Sequence, residues 1–249
     1  MIDRGAKQPF PEDLTPPEAI AAAFSISRET LDRLKVYAAL LEQWQRTMNL
    51  VAPKTVPDLW FRHVADSAQI EPLAPPSGHW VDFGAGAGFP GLVVAILRAG
   101  QAERSRSSPL SAGPGPASRV TLVESDARKC AFLAEVVRKT GLKALIPVEI
   151  LNQRIESEAT RAKLGKVNVV SARAVAPLAD LLAWSAPLFG PSTVGLFLKG
   201  RNAAVEIEAA EAKWAFSAVL HPSRTERDAA VVEIRGLSLR SGPNKEGAA

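Results

Sequence analysis

Four glycines, Gly84, Gly86, Gly88 and Gly91, recur within VDFGAGAGFPG, residues 81–91, between an apolar run and an amphipathic one. Side chains at such positions would keep the backbone away from a ligand, and glycine removes them. A helix beginning just behind the loop adds free N–H groups and partial positive charge, which suit a carboxylate or phosphate. A tight turn with no ligand is the alternative. Gly86, Gly88 and Gly91 also satisfy GxGxxG, the dinucleotide pattern. Asp82, however, stands two residues before the first glycine, where a dinucleotide site keeps an apolar residue. An acid there suits the ammonium of an amino-acid moiety, which S-adenosylmethionine carries and NAD lacks. DxGxGxG therefore favours the methyl donor. Glu124 ends the next apolar run, RVTLVES, and is placed to accept both hydroxyls of an adenosine ribose or, alternatively, to cap the helix starting near Asp126.

These residues need a sheet to hold them. Short apolar runs alternate with amphipathic stretches: strands near 79–83, 119–124, 145–150, 167–172 and 193–198, and helices near 91–99, 126–140, 177–187 and 202–213. That order predicts parallel crossovers and a doubly wound sheet, an α/β Rossmann-like fold. The last runs, 214–221 and 229–235, leave no room for a helix between them and predict a terminal antiparallel hairpin. Upstream, Ser27 reads as an N-cap, and Leu31, Leu34, Ala38, Leu41 and Trp44 share one helical face. A second helix is expected from Asp58 to Ala68. The domain plan is a loosely held, Pro-rich extension over 1–25, a helical segment over 26–78 packed on the main domain, the main domain over 79–237 and a tail over 238–249. Within the main domain, the Ser-, Pro- and Gly-rich 101–118 reads as a disordered insertion; without it, the gap from Gly91 to Glu124 returns close to the ~20 residues usual for a ribose-binding acid.

Composition narrows the class. Of 249 residues 47% are apolar and 22% charged, ordinary for a globular chain. No apolar run approaches the ~18 residues of a spanning helix, and the N-terminus lacks the apolar core of a secretory signal, so a cytoplasmic location is expected. The lone Cys130 and three histidines offer no metal-ligand spacing. Thirty Lys and Arg against 26 Asp and Glu give a net charge of +4, which permits a phosphate-rich partner without demanding one.

Taken together, MNLVAP (48–53), RHVADS (62–67), VDFGAGAGFPG (81–91), VESDARKCAFL (123–133), VVSARAVAPL (169–178) and LKG (198–200) resemble the bacterial small-subunit (16S) ribosomal RNA guanine-N7 methyltransferases, also called glucose-inhibited division protein B. The likeness covers about residues 30–235. It implies a class I methyltransferase fold, S-adenosylmethionine as cofactor, and 16S ribosomal RNA or the small subunit as partner; a monomer with no metal and no membrane association is the accompanying expectation. It also implies cofactor contacts at Gly84 and Phe89, at Ile155 and Glu156, and at Arg173, beside those read above at Asp82, Gly86, Gly88 and Glu124. Departures from the family are the Pro-rich extension, the 101–118 insertion and Phe89, where a smaller aliphatic is common.

Guanine N7 is an unprotonated nitrogen that attacks an activated methyl directly, so no general base is required and no catalytic residue is assigned. Arg62, His63, Lys199 and Arg201 are candidates for contact with RNA, and Phe89 for stacking on the base. An NAD-dependent oxidoreductase and a non-catalytic nucleotide-binding regulatory protein are the competing readings.

Overall fold

The computed structural model describes residues 3–4, 16–107 and 118–240. Helices α1 (Pro17–Ala23) and α2 (Arg28–Gln45) lead into a π-helical stretch, Trp60–Ala65, that runs into the short α3 (Asp66–Ala68). The alternating part follows as β2 (Gly78–Phe83), α4 (Gly91–Ser107), β3 (Ser118–Glu124), α5 (Ala127–Lys139), β4 (Val148–Asn152), α6 (Glu158–Leu164), β5 (Val169–Arg173), α7 (Leu178–Ser185), β6 (Val194–Lys199) and α8 (Ala203–Glu211). It closes with β7 (Trp214–Pro222) and β8 (Ala230–Leu239), while Asp3–Arg4 forms a two-residue edge strand, β1.

The sheet order is β1-β7-β8-β6-β5-β2-β3-β4. The strands from β2 to β6 pair in parallel, and β8 runs antiparallel to both β6 and β7. This is the doubly wound, mostly parallel sheet with a terminal antiparallel hairpin that the alternation predicted. Between β2 and β5 the order reverses, and the crevice above the carboxyl ends of those two strands is where such sheets bind ligands.

Strand periodicity sends alternate residues to opposite faces. Trp80, Val120, Leu122 and Val169 join a core under α2, α4 and α5. Val81, Phe83, Val123 and Val170 join a second core under α7 and α8. Asp82 thus falls on the α2–α4 face beside its register partner Ser171, with the apolar Val81 and Phe83 on either side of it in the strand.

Several expectations are corrected. Helix α1 occupies part of the segment expected to be loose: Pro17 opens it at a position where a missing N–H costs nothing, and Ile20 is fully buried. The helix expected over 91–99 continues to Ser107, because Gln, Ala, Glu and Arg in 101–106 are good helix formers and the Arg33 guanidinium grips both oxygens of Glu103 at 2.9 and 3.0 Å. Residues 101–107 are therefore not part of a disordered insertion, and 108–117 lie outside the described residues. Strand β4 begins three residues later than expected, after Pro147, while Leu142 and Ile146 enter the core from the preceding turn. Strand β8 takes in Ser238 and Leu239, assigned above to the tail. The helix expected from Asp58 has π rather than α geometry over Trp60–Ala65.

Candidate active site

Above the carboxyl ends of β2, β5 and β6 lies a cavity of about 990 Å³, the size of a nucleoside-scale ligand site. Its first wall is the loop after β2 together with Glu124. Gly84, Gly86 and Gly88 take positive φ angles of 59°, 56° and 99°, a region open to glycine at little cost. The space beside them differs. A Cβ on Gly88 would meet Leu92 and the Tyr37 hydroxyl, and one on Gly91 would meet Leu122 and Asp82, so these two glycines admit protein side chains rather than a ligand. Beside Gly86 the nearest atom to a Cβ would be the Gly84 carbonyl at 3.7 Å, leaving that side open.

Three groups fix the loop. The Asp82 Oδ2 accepts from the Gly91 N–H at 3.0 Å and its Oδ1 accepts from the Ser171 hydroxyl at 2.6 Å, while the Trp80 indole N–H donates to Ser171 at 2.8 Å. Full burial pushes the Asp82 pKa up to about 7, the two hydrogen bonds opposing the rise. Tyr37, from α2, donates to the Ala87 carbonyl at 2.5 Å, and burial raises its pKa well above the usual phenol value. Glu124 accepts the Gly86 N–H on Oε2 and the Asp126 N–H on Oε1, each at 2.8 Å. The helix cap itself is Asp126, which accepts from Arg128 and Lys129. A carboxylate has about four lone-pair sites. Glu124, buried yet lining the cavity, is left with one acceptor site per oxygen, the arrangement needed to take two vicinal hydroxyls.

The middle of the cavity is built around Arg173 at the end of β5. Its Nη1 donates to Asp66 Oδ2 at 3.1 Å and to the Arg62 carbonyl at 3.2 Å, and its Nη2 donates to His63 Nδ1 at 2.8 Å. Since a guanidinium only donates, the His63 proton sits on Nε2 and is given to Thr55 Oγ1 at 2.8 Å, whose hydroxyl donates to the Ala52 carbonyl. Burial first, then the charges of Arg173 and Arg62, lower the His63 pKa to about 3, so the ring is neutral. Phe89 lies against His63, stacked at 5.0 Å, against Tyr37 at 5.3 Å and under the Arg173 guanidinium at 5.0 Å. It is buried, and the expectation that it stacks on a base is corrected: its ring is already packed by protein. Next to Arg173, Ala174 holds a positive φ of 54°, strained for a residue with a Cβ, and lines the cavity.

The far wall combines Lys199, Glu206 and the β7–β8 turn. Lys199 donates to Glu206 Oε2 and to the Ala176 carbonyl, both at 2.7 Å, and its side chain is 9% exposed. Its ammonium is held within the wall, which corrects the expectation of a phosphate contact. Asp66 Oδ1 accepts from Thr225 and from Gln69, both at 2.8 Å, tying the start of α3 to the β7–β8 turn. At the mouth, Arg62 faces Glu226 at 3.6 Å.

The sequence-derived residues Gly84, Gly86, Phe89, Glu124, Arg173, Arg62, His63 and Lys199 thus come together around one cavity. Asp82 and Gly88 lie behind the loop; Asp82 carries the loop from beneath and is not placed to meet an ammonium in the cavity. Ile155 and Glu156 do not line it, and their carbonyls accept from Arg161. Arg201 is exposed and outside it. Sequence reasoning missed Tyr37, although it follows Leu34 by three on the face already assigned, and Glu206, seven residues after Lys199 on a helix edge. Gln69 and Thr225 carried no local signal, since they meet across 156 residues of chain by way of Asp66.

Residues 30–230 match the family model described as rRNA small subunit methyltransferase G. The chain belongs to that family. It is 47% identical over 221 residues to the ribosomal RNA small subunit methyltransferase G of Parvibaculum lavamentivorans, covering 88% of this chain and 89% of the relative. The protein of that name in Methylorubrum populi is 47% identical over 214 residues, 86% and 92% of the two chains. Among solved structures, a methyltransferase from Geobacter sulfurreducens aligns over 90% of this chain and 98% of its own with 11% identity and a TM-score of 0.49. The matched span holds every cavity-lining residue up to Ala230, and no helix among the described residues is long and apolar enough to cross a membrane.

Proposed function

We propose that this chain transfers the methyl group of S-adenosylmethionine to N7 of a guanine in 16S ribosomal RNA. The observation that carries the reading is the pairing of Gly86 with Glu124 on the wall of the cavity, in a member of this methyltransferase family. Glu124 would take the ribose hydroxyls on its two remaining acceptor sites, and the open side of Gly86 would admit the nucleoside against bare backbone. The donor, when bound, supplies a methyl group activated by its sulfonium.

The residues of the chain then need only orient and shield. Nucleophilic attack by the N7 lone pair requires no prior proton removal, and the histidine in the cavity is not set up to remove one: His63 is neutral, with both ring nitrogens in hydrogen bonds. Cys130 is buried with its thiol on the Glu124 carbonyl, and burial raises its pKa, so it offers no thiolate nucleophile. Alignment at near-attack distance supplies about 7–11 kcal/mol in well-oriented systems. The guanine must be unpaired or flipped to enter, since a stacked base cannot reach a cavity at a sheet edge.

The deciding experiment incubates the purified protein with labelled S-adenosylmethionine and unmodified small ribosomal subunits or their RNA. Label recovered as N7-methylguanosine is expected. A protein that binds the donor and labels no guanine N7 would leave a regulatory role; one that binds NAD instead would return the oxidoreductase.

A further inference from the structure

The cavity contains four carboxylates on its walls, and three are spoken for. Glu124 faces the loop wall, with a backbone N–H on each oxygen. Asp66 is saturated by Arg173, Thr225 and Gln69. Glu226 sits at the mouth, 53% exposed and opposite Arg62. Glu206 differs. Its Oε2 accepts from two donors, the Leu178 N–H and the Lys199 ammonium, both at 2.7 Å. Its Oε1 has no hydrogen-bond partner among the described residues, although the side chain is only 27% exposed.

We infer that Glu206 is the residue that reads the base as guanine, its Oε1 accepting from the N1–H and the exocyclic N2–H. The inference rests on the reaction proposed above. N7 lies on one side of the purine and the N1–N2 edge on the opposite side. With N7 turned to the loop wall where Gly86 and Glu124 stand, the N1–N2 edge faces the far wall, which Glu206 lines. Guanine presents two adjacent donors there. Adenine presents the unprotonated N1, which a carboxylate repels. Lys199 and Leu178 both hold Oε2, which leaves Oε1 as the free acceptor of a side chain that lines the cavity.

The anchoring donors also define a clean test. In Glu206→Gln, Lys199 and the Leu178 N–H hold the amide oxygen, so the amide NH₂ replaces Oε1 and points a donor at two donors. The substrates are small-subunit RNA with guanosine, or with inosine, at the nucleotide found methylated. Inosine keeps N7 and N1–H and lacks only the 2-amino group. Wild-type protein is expected to prefer guanosine over inosine by about 10- to 100-fold in kcat/KM, the worth of one hydrogen bond to a charged acceptor. E206Q, followed in single turnover, should slow both substrates and abolish the preference for guanosine, a ratio of about one or below, with S-adenosylmethionine affinity unchanged. E206D, which keeps the carboxylate, should retain the preference at reduced rate. A wild type indifferent to the 2-amino group, or an E206Q that still prefers guanosine tenfold, would overturn the assignment. Wild-type protein that methylates no guanine N7 in unsubstituted RNA would overturn the reaction itself, and this inference with it.

Discussion

The two walls of the cavity are built on different rules. On the loop wall, Asp82, Tyr37 and Glu124 are buried, and the hydrogen bonds they make to Gly91, Ala87 and Gly86 hold the loop after β2 backbone atom by backbone atom. On the far wall, ion pairs do the holding: Lys199 with Glu206 inside, Arg62 with Glu226 at the rim, the latter 39% and 53% exposed. A buried hydrogen bond to a backbone group cannot be exchanged for water, whereas a rim ion pair can. The loop wall is therefore rigid and suits a small ligand of fixed shape, and the mouth is adaptable and suits a large, highly charged one. Mutations should hurt folding on the first wall and substrate handling on the second.

The sharpest break is expected at Asp82. Removing its carboxylate in Asp82→Ala strands the Gly91 N–H and the Ser171 hydroxyl in a dry core and should cost about 2–4 kcal/mol of stability by denaturant unfolding. S-adenosylmethionine affinity should weaken only as the loop loosens. Asp82→Asn separates charge from hydrogen bonding. Because burial raises the native pKa to about 7 from an ordinary carboxylate value, the native state keeps a proton that the unfolded chain has released between those pH values. This contribution is fully present at low pH and is lost as pH rises towards 7. The stability of wild type relative to D82N should fall across that window. A flat difference would mean that Asp82 is ionised throughout and that its burial is better compensated than its two hydrogen bonds suggest.

What could be read from sequence divides along the same line as the walls. The strand and loop of the first wall lie within one short segment, so the glycine spacing, Asp82 and the helix behind them were visible as a unit. Even so, Asp82 was assigned to the ligand because a sequence shows that a carboxylate is present and not which face of the strand it takes; Ser171, its partner on β5, is 89 residues away. Phe89 was read as a base-stacking ring for the same reason. Its covering groups, His63, Tyr37 and Arg173, come from three distant elements. The alternation of strands and helices and the terminal hairpin were legible because hydrophobic periodicity is local, while helix ends were not. Pro at the start of α1 and Ser in the last turns of α4 look like breakers until tertiary contacts such as Arg33 with Glu103 are known. The far wall was the least legible, since its turn, 223–229, has no motif and gains its role only by meeting Asp66.

A smaller effect on the first wall is expected from Tyr37→Phe. The ring keeps its packing on Phe89 and Phe132, and only the hydrogen bond to the Ala87 carbonyl is lost. The buried carbonyl is left short of a donor, for about 1–2 kcal/mol of stability. Because Ala87 is part of the loop, donor affinity should drop a few-fold while the guanosine-to-inosine ratio stays unchanged. A shifted ratio would show that the two walls are mechanically coupled and that the division drawn between them is too simple.

The smallest change in stability, and the most specific change in binding, is expected at the rim. Glu226→Ala removes a half-exposed partner 3.6 Å from Arg62, so folding stability should move by less than about 0.5 kcal/mol. The same substitution takes a negative charge from the mouth and frees the Arg62 guanidinium for a phosphate. Each phosphate neutralised by a cation adds roughly one to the salt slope of binding. RNA affinity at low salt should therefore rise, and the slope of log K against log salt should steepen by up to about one, with the affinity for the methyl donor unchanged. If stability and slope both stay put, Arg62 faces solvent rather than RNA, and the Arg62–Glu226 rim is not the part of the cavity that handles the RNA.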